Sequence, residues 1–175
     1  MDYEPKPTYY GGRMYRSQLE AQFAVFLDEC FGTKWDYEPY LFDPKGVRYL
    51  PDFVFNNGEE TMFVEIKPLA RLDDEHAQKI VEFSHKYALL IVDNLLFRKP
   101  KDTFVEDYPI WAKWGLRPWD FYTINGVSRR AFPAIDDDGI LRIIPDSDRK
   151  FVDYDRTFDA FEKAKSYKFK EVGKR

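Results

Sequence analysis

The first regular spacing of hydrophobic positions in the chain predicts an amphipathic helix over residues 17–31. Its apolar positions recur every three or four residues, at Leu19, Phe23, Phe26, Leu27 and Cys30. Ser17 precedes the pattern as a capping residue, and Gly32 is expected to stop the helix. Residues 1–14 are rich in Pro, Tyr and Gly, so we expect an irregular arm there.

Shorter patterns predict three consecutive strands after this helix, over residues 35–42, 49–55 and 62–67. Residues 43–46, which read Asp-Pro-Lys-Gly, are expected to form the turn between the first two strands. Residues 56–58, which read Asn-Asn-Gly, are a hairpin signal between the second and third strands. Pro68 ends the third strand.

A second helix is predicted over residues 73–87, and an apolar strand over residues 88–92. The inward positions of the helix are Ala77, Ile80, Val81 and Ser84. The strand is hydrophobic throughout, which is typical of a strand covered on both faces. The order helix, three strands, helix, strand predicts an α/β fold with a mixed central sheet.

We expect one domain, residues 1–175, because the sequence shows no repeat, low-complexity tract or linker. Its core covers about residues 15–93. Residues 94–175 form a C-terminal elaboration, with a hairpin turn at 135–140, a strand at 141–144 and a helix at 156–167.

Composition limits the compartment and the partners. The single cysteine, Cys30, excludes an internal disulfide and a cysteine-rich zinc site, so a reducing cytoplasm is expected. No signal peptide is visible and no apolar run is long enough to cross a bilayer. The net charge of −4 counts against nucleic-acid binding. Positive charge is nevertheless concentrated near the C-terminus, at Lys163, Lys165, Lys168, Lys170, Lys174 and Arg175.

Two carboxylates and an ammonium group are predicted to converge at one end of the second hairpin. Side chains alternate along a strand, so Glu65 and Lys67 share one face of the third strand. A two-residue loop pairs Asp52 with Phe63, and a four-residue loop pairs it with Glu65. Both closures put Asp52 on the Glu65 face, whereas a three-residue loop puts it on the other. Mg²⁺ or Mn²⁺ is the natural partner for such oxygen ligands.

Glu20 lies inside the apolar stripe of the first predicted helix rather than on its polar face. A buried carboxylate needs a compensating partner, which indicates a place in the acidic site. The alternative is structural, because residues 17–20, Ser-Gln-Leu-Glu, form a capping-box sequence. The two histidines, His76 and His85, are nine residues apart on one predicted helix and are expected at the surface.

Short motifs around these residues resemble the PD-(D/E)XK nuclease superfamily. The motifs are Tyr-Leu-Pro-Asp at residues 49–52 and Glu-Ile-Lys at residues 65–67. Residues 16–21 and 37–39 resemble the variant found in transposon endonuclease subunits and many phage endonucleases. The predicted element order is also that superfamily's core, so the resemblance implies a restriction-endonuclease-like fold over about residues 15–93.

The resemblance implies a metal-dependent endonuclease that hydrolyses phosphodiester bonds, with Asp52, Glu65, Lys67 and Glu20 as catalytic residues. Asp52, Glu65 and the backbone carbonyl of Ile66 would hold Mg²⁺ or Mn²⁺, with Glu20 completing the acidic cluster. Lys67 would orient or activate the attacking water. The residues expected to contact nucleic acid, partly from this resemblance and partly from the local positive charge, are Arg16, Gln78, Lys79, Lys165, Lys168 and Lys170.

The expected substrate is DNA, and the sequence does not separate DNA from RNA. The setting that the resemblance implies is the cytoplasm of a bacterial or phage-infected cell. The alternative function is an inactive nuclease-fold module that binds nucleic acid or a partner protein. A protein partner or a homodimer also stays open, and no membrane partner is expected.

Overall fold

The computed structural model of this chain describes residues 5–39, 48–94, 109–116, 120–122, 128–145 and 153–170. The helices are α1 (Gln18–Asp28), α2 (Asp74–Ser84), α3 (Pro109–Trp114) and α4 (Tyr154–Ser166), and a 3-10 turn covers Leu69–Arg71. The strands are β1 (Thr8–Tyr10), β2 (Arg13–Tyr15), β3 (Lys34–Tyr37), β4 (Phe53–Asn56), β5 (Thr61–Ile66), β6 (Leu89–Val92), β7 (Asp120–Tyr122), β8 (Ser128–Ile135) and β9 (Leu141–Pro145).

A mixed sheet forms the centre of the fold. Within the described ranges its strand order is β3-β4-β5-β6-β7-β8-β9. Neighbouring strands are antiparallel except β5 and β6, which run parallel and are connected through α2. The predicted order of one helix, three strands, a second helix and a fourth strand is therefore confirmed, as is the mixed sheet.

Helices cover both faces of this sheet. On one face α1 and α4 pack on the sheet through Phe23, Phe26 and Phe161. On the other face α2 packs through Ile80 and Phe83. All four residues of β6 are buried, and they alternate between the two hydrophobic clusters, Leu90 and Val92 in one and Leu89 and Ile91 in the other. The predicted strand covered on both faces is confirmed.

Residues 8–15 form a β-hairpin, so the prediction of an irregular arm is wrong over this stretch. β1 pairs with β2 around Tyr9 and Met14, and Gly11 and Gly12 form the turn with positive φ angles of 57° and 85°. The hairpin is stabilised by long-range contacts that its sequence does not reveal. Tyr15 is buried against Tyr37, with ring centroids 4.6 Å apart.

The first helix and the first core strand are shorter than predicted. α1 ends at Asp28, and the next glycine, Gly32, has another role: a Cβ there would lie 2.5 Å from the Ile140 side chain. Gly32 thus allows a close approach of the β8–β9 hairpin. β3 ends at Tyr37 because Glu38 takes a left-handed backbone, φ 47°, and turns the chain out of the strand. The predicted turn at 43–46 lies outside the described residues.

The remaining boundaries shift by a few residues. The predicted strand 49–55 begins only at Phe53, strand 62–67 is Thr61–Ile66, and helix 73–87 ends at Ser84. The hairpin turn of the elaboration is confirmed: Gly139, with φ 80°, donates its N–H to the Asp136 carbonyl at 2.9 Å. Among the described helices, none is long and apolar enough to cross a membrane.

Helix α4 returns the C-terminal half of the chain to α1. Phe161 stacks on Phe26 with ring centroids 4.3 Å apart. Gln22 donates from its side-chain amide to the Lys165 carbonyl at 3.0 Å. This contact places the basic end of α4 beside the N-terminal half of α1, which is where the candidate site begins.

Candidate active site

A pocket of about 700 Å³ lies at the end of the sheet where β5 and β6 finish. The first turn of α1, the residue before β4 and the end of β5 all contribute to its wall. The four residues predicted to be catalytic, Glu20, Asp52, Glu65 and Lys67, line this pocket together. Tertiary structure therefore brings together side chains that are far apart in sequence: 47 positions separate Glu20 from Lys67.

The β4–β5 hairpin closes with four loop residues, 57–60. Asn56 pairs with Thr61, and Phe53 pairs with Val64. Continuing this register by one residue places Asp52 opposite Glu65. The loop is stabilised by Asn57, whose side-chain oxygen accepts the N–H groups of Glu59 at 3.1 Å and Glu60 at 2.9 Å. Of the two closures that put Asp52 on the Glu65 face, the chain adopts the longer.

Asp52 lies just before β4, one residue beyond the last strand pair of the hairpin. Its Oδ2 accepts the Ile66 N–H at 2.7 Å, and the side chain is 3% exposed. Burial raises the pKa of Asp52 well above its ordinary value, and the charges of Glu65 and Glu20 raise it further. Arg16 and the Ile66 N–H oppose this shift. The site therefore concentrates negative charge that a bound cation would stabilise.

Arg16 is the cation that the chain itself places against this cluster. Its guanidinium contacts Asp52 Oδ1, and its Nε lies 2.9 Å from Glu38 Oε1. The Arg16 side chain is 57% exposed, so it can turn toward solvent without unfolding the site. Arg16 was predicted as a nucleic-acid contact, and it lies in the pocket wall.

Glu20 makes the contacts of a helix cap and also faces the pocket. Ser17 Oγ accepts the Glu20 N–H at 3.2 Å and donates to Glu20 Oε1 at 2.8 Å. Glu20 Oε2 accepts the Arg16 N–H at 3.1 Å and the Tyr37 hydroxyl at 2.6 Å. Both interpretations of the sequence thus have a structural counterpart, because Glu20 is 6% exposed within the cluster and also belongs to the N-terminal cap of α1.

Glu65 is bound by two residues that sequence reasoning did not place in the site. The Tyr49 hydroxyl donates to Glu65 Oε2 at 2.6 Å, and His76 Nε2 lies 2.6 Å from Glu65 Oε1. The expectation that His76 is a surface residue is wrong: it is 32% exposed and lines the pocket. The sequence carried a signal for this, since His76 is four positions before Ile80 and shares its apolar helix face.

The remaining predicted contact residues are distributed unevenly. Gln78 and Lys79 do not line this pocket; they bind Glu82 at 3.1 Å and Glu75 at 2.6 Å along α2. Their α-helical positions point them away from the sheet, because the apolar face is occupied by residues such as Ala77 and Ile80. Lys165 is exposed at the C-terminal end of α4, where its carbonyl accepts from pocket residue Gln22, and Lys168 and Lys170 are exposed just beyond that helix.

The donor set fits a hard divalent cation held by few protein ligands. Among the described residues, no group of three or more His, Cys, Asp or Glu side chains has the arrangement to hold a metal ion. Mg²⁺ is usually bound through one or two carboxylates plus water and substrate phosphates, so a closed cage is not required. Asp52 and Glu65 supply two carboxylates. The Ile66 carbonyl lies on the Asp52 side of β5, the side to which its N–H points.

Replacing Asp52 with Asn should leave the melting temperature of the metal-free protein unchanged or raise it. The raised pKa means that ionised Asp52 opposes folding, and this loss of stability grows as pH rises above its ordinary pKa of 3.8. The advantage of Asp52→Asn over wild type should therefore increase from pH 4 toward neutral pH. Thermal unfolding followed by circular dichroism across this range measures it.

Asp36→Asn is the matched control, and its effect on stability should have the opposite sign. A hydrogen bond from Arg13 lowers the pKa of Asp36, so its ionised form favours folding above pH 4 and is lost on acidification. Its removal should be neutral or slightly destabilising, because the pair is exposed. A marked destabilisation by Asp52→Asn at neutral pH would show that Asp52 is not electrostatically strained.

Comparison with known proteins identifies no relative of this chain. No family model, curated protein or solved structure matches the chain. The function of the pocket must therefore be inferred from its own residues and from the motifs that they carry.

Proposed function

We propose that this protein is a metal-dependent endonuclease of the PD-(D/E)XK type with a restriction-endonuclease-like core. The observation that carries the proposal is the position of Asp52 opposite Glu65, both 3% exposed, in one pocket with Lys67 and Glu20. Burying two carboxylates side by side is costly without a bound cation. The order α1, β3, β4, β5, α2, β6 agrees with the core that the motifs imply.

Asp52, Glu65 and the Ile66 carbonyl are the proposed ligands of Mg²⁺ or Mn²⁺, and Glu20 adds negative charge beside them. When bound, such a metal polarises the scissile phosphate and lowers the pKa of a coordinated water. Lys67 is half-buried at the pocket wall, where its ammonium can hydrogen-bond the attacking water or a phosphate oxygen. The hydrophobic residues behind Glu65 exclude bulk water from its buried side.

The proposed substrate is DNA, which would enter along the basic side of the pocket. Arg16, Lys67 and Arg71 line the pocket itself. Gln22 links the pocket to the end of α4, where Lys165, Lys168 and Lys170 are exposed. These lysines would hold the phosphate backbone electrostatically, which offsets the acidic net charge of the chain.

An inactive binding module is the second candidate, and one observation favours it. Arg16 contacts Asp52, so the site already contains a positive charge that satisfies this carboxylate without a metal. In that case the pocket would bind a partner with no requirement for a divalent cation. Measuring Mn²⁺ binding and cleavage on the same preparation distinguishes the two functions.

Cleavage of DNA that requires Mg²⁺ or Mn²⁺ is the first expected outcome. Asp52→Asn and Glu65→Gln should abolish it, because each removes a proposed charged ligand while nearly preserving side-chain size. Agarose and denaturing gels should compare linear, supercoiled, branched and single-stranded DNA, with RNA in parallel. Glu75→Gln, on the exposed side of α2, is the matched control and should cleave like wild type. If wild type cuts no DNA or RNA with either metal, the proposed activity is wrong.

Glu20→Gln should greatly reduce cleavage and change stability little. Gln also serves in a capping box, so a residue that only caps α1 would tolerate this change. Ser17→Ala is the comparison variant, since it removes the cap hydrogen bond and one donor to Glu20 Oε1, costs about 1 kcal/mol of stability and leaves the Glu20 charge in place. Cleavage rates and melting temperatures should be measured on both variants. Full activity of Glu20→Gln would remove Glu20 from the site.

Changing Lys168 and Lys170 to Glu should weaken DNA binding and flatten its salt dependence. Each lost phosphate contact lowers the slope of log affinity against log salt by about 0.7–0.9. Cleavage at saturating DNA should persist, because these residues are not proposed to touch the reacting phosphate. The control changes Lys34 and Lys86, two exposed lysines at the opposite end of the sheet. Equal slopes for the two double variants would show that the α4 end is only a solvated surface.

A further inference from the structure

His76 contacts two proposed functional residues, Glu65 on β5 and Lys67 just after this strand. Its Nε2 lies 2.6 Å from Glu65 Oε1, and its Nδ1 lies 3.4 Å from Lys67 Nζ. A lysine ammonium can donate but cannot accept a hydrogen bond, so Nδ1 is the acceptor in the second contact. The imidazole proton is then on Nε2, where it donates to Glu65. These two contacts fit the tautomer that carries its proton on Nε2.

The position of His76 is determined by the start of α2. Asp73 caps this helix, and its carboxylate accepts the His76 backbone N–H at 2.7 Å. The ring then lies edge-on to Tyr49, with ring centroids 6.4 Å apart and an interplanar angle of 87°. The cap, the helix and the aromatic contact therefore hold the imidazole in place against Glu65.

Tyr49 completes a clamp around the same carboxylate. Its hydroxyl donates to Glu65 Oε2 at 2.6 Å, so Tyr49 and His76 bind one oxygen each. A carboxylate has about four acceptor positions, so two hydrogen bonds leave lone pairs for a cation in the pocket. Carboxylates that bind metals are commonly held by such hydrogen bonds, which determine how the oxygens are oriented.

We propose that His76 is a positioning residue, which orients Glu65 toward the bound metal ion and holds Lys67 beside it. This inference rests on the proposed metal-dependent nuclease function and assigns a role that the sequence motifs do not contain. Tyr49 acts on the other oxygen of Glu65. His76 itself acts through Glu65 and Lys67 and need not contact the substrate.

Binding of Mn²⁺ alone, measured by titration calorimetry without nucleic acid, tests the proposal on the full chain. His76→Ala should weaken Mn²⁺ binding by about 10-fold to 100-fold, the usual effect of removing a partner that orients a metal ligand. His76→Gln should restore most of this affinity, because its amide can place an N–H near the position of Nε2. His85→Ala is the matched control on the exposed end of α2 and should bind as wild type does.

Kinetics and stability on the same variants separate positioning from folding. His76→Ala should lower kcat more than it changes KM, since Glu65 and Lys67 are misaligned while the phosphate contacts persist. Tyr49→Phe keeps the ring packing and should weaken Mn²⁺ binding in the same direction. A lower melting temperature of His76→Ala with wild-type Mn²⁺ affinity would show a purely structural role and overturn the proposal.

The failures of the two proposals give different results. If wild type binds Mn²⁺ and cleaves DNA but His76→Ala does both equally well, only the role of His76 is wrong. If His76→Ala loses Mn²⁺ affinity and His76→Gln does not recover it, the proposed orientation of Glu65 through the Nε2 hydrogen bond is wrong. If wild type binds no Mn²⁺, the metal-dependent function and the role of His76 are both overturned.

Discussion

The hydrogen bond from the Ile66 N–H to Asp52 Oδ2 joins the end of β5 to the residue that precedes β4. It forms because the β4–β5 loop has four residues, which places Asp52 opposite Glu65. A register shift of one residue would move Asp52 to the other face of the hairpin, among the hydrophobic side chains under α1. The proximity of two buried carboxylates, and everything that surrounds them, depends on this register.

The surrounding groups compensate the charge that the register concentrates. Arg16 contacts Asp52, Tyr49 and His76 bind Glu65, and Tyr37 binds Glu20. Each of these three carboxylates thus has hydrogen-bond donors, which is the condition for burying charge at tolerable cost. The raised pKa of Asp52 shows that burial and the neighbouring charges of Glu65 and Glu20 still exceed this compensation. Strongly perturbed pKa values of this kind are concentrated at functional sites.

The end of the sheet that carries the pocket is also where α1 and α2 begin and where β6 ends. Helix α1 contributes Glu20 from its first turn, and α2 contributes His76 from its first turn. Helix α4 reaches this end from the C-terminal half of the chain through Gln22. Among the described residues, the chain beyond residue 94 therefore brings Lys165 next to pocket residue Gln22 and adds no side chain to the pocket wall.

Local pattern in the sequence was enough for the elements that surround the site and for their faces, but not for the N-terminal hairpin. Helical and strand periodicities predicted α1, α2 and β6, because a buried stripe requires hydrophobic side chains at those intervals. Alternation along β5 also placed Glu65 and Lys67 on one face, and a two-residue or four-residue loop, but not a three-residue loop, placed Asp52 there as well. Only tertiary structure decided which closure forms and which partners the carboxylates meet. Arg16 and Asp52 are 36 residues apart and Gln22 and Lys165 are 143 apart, and no local periodicity encodes contacts over such separations.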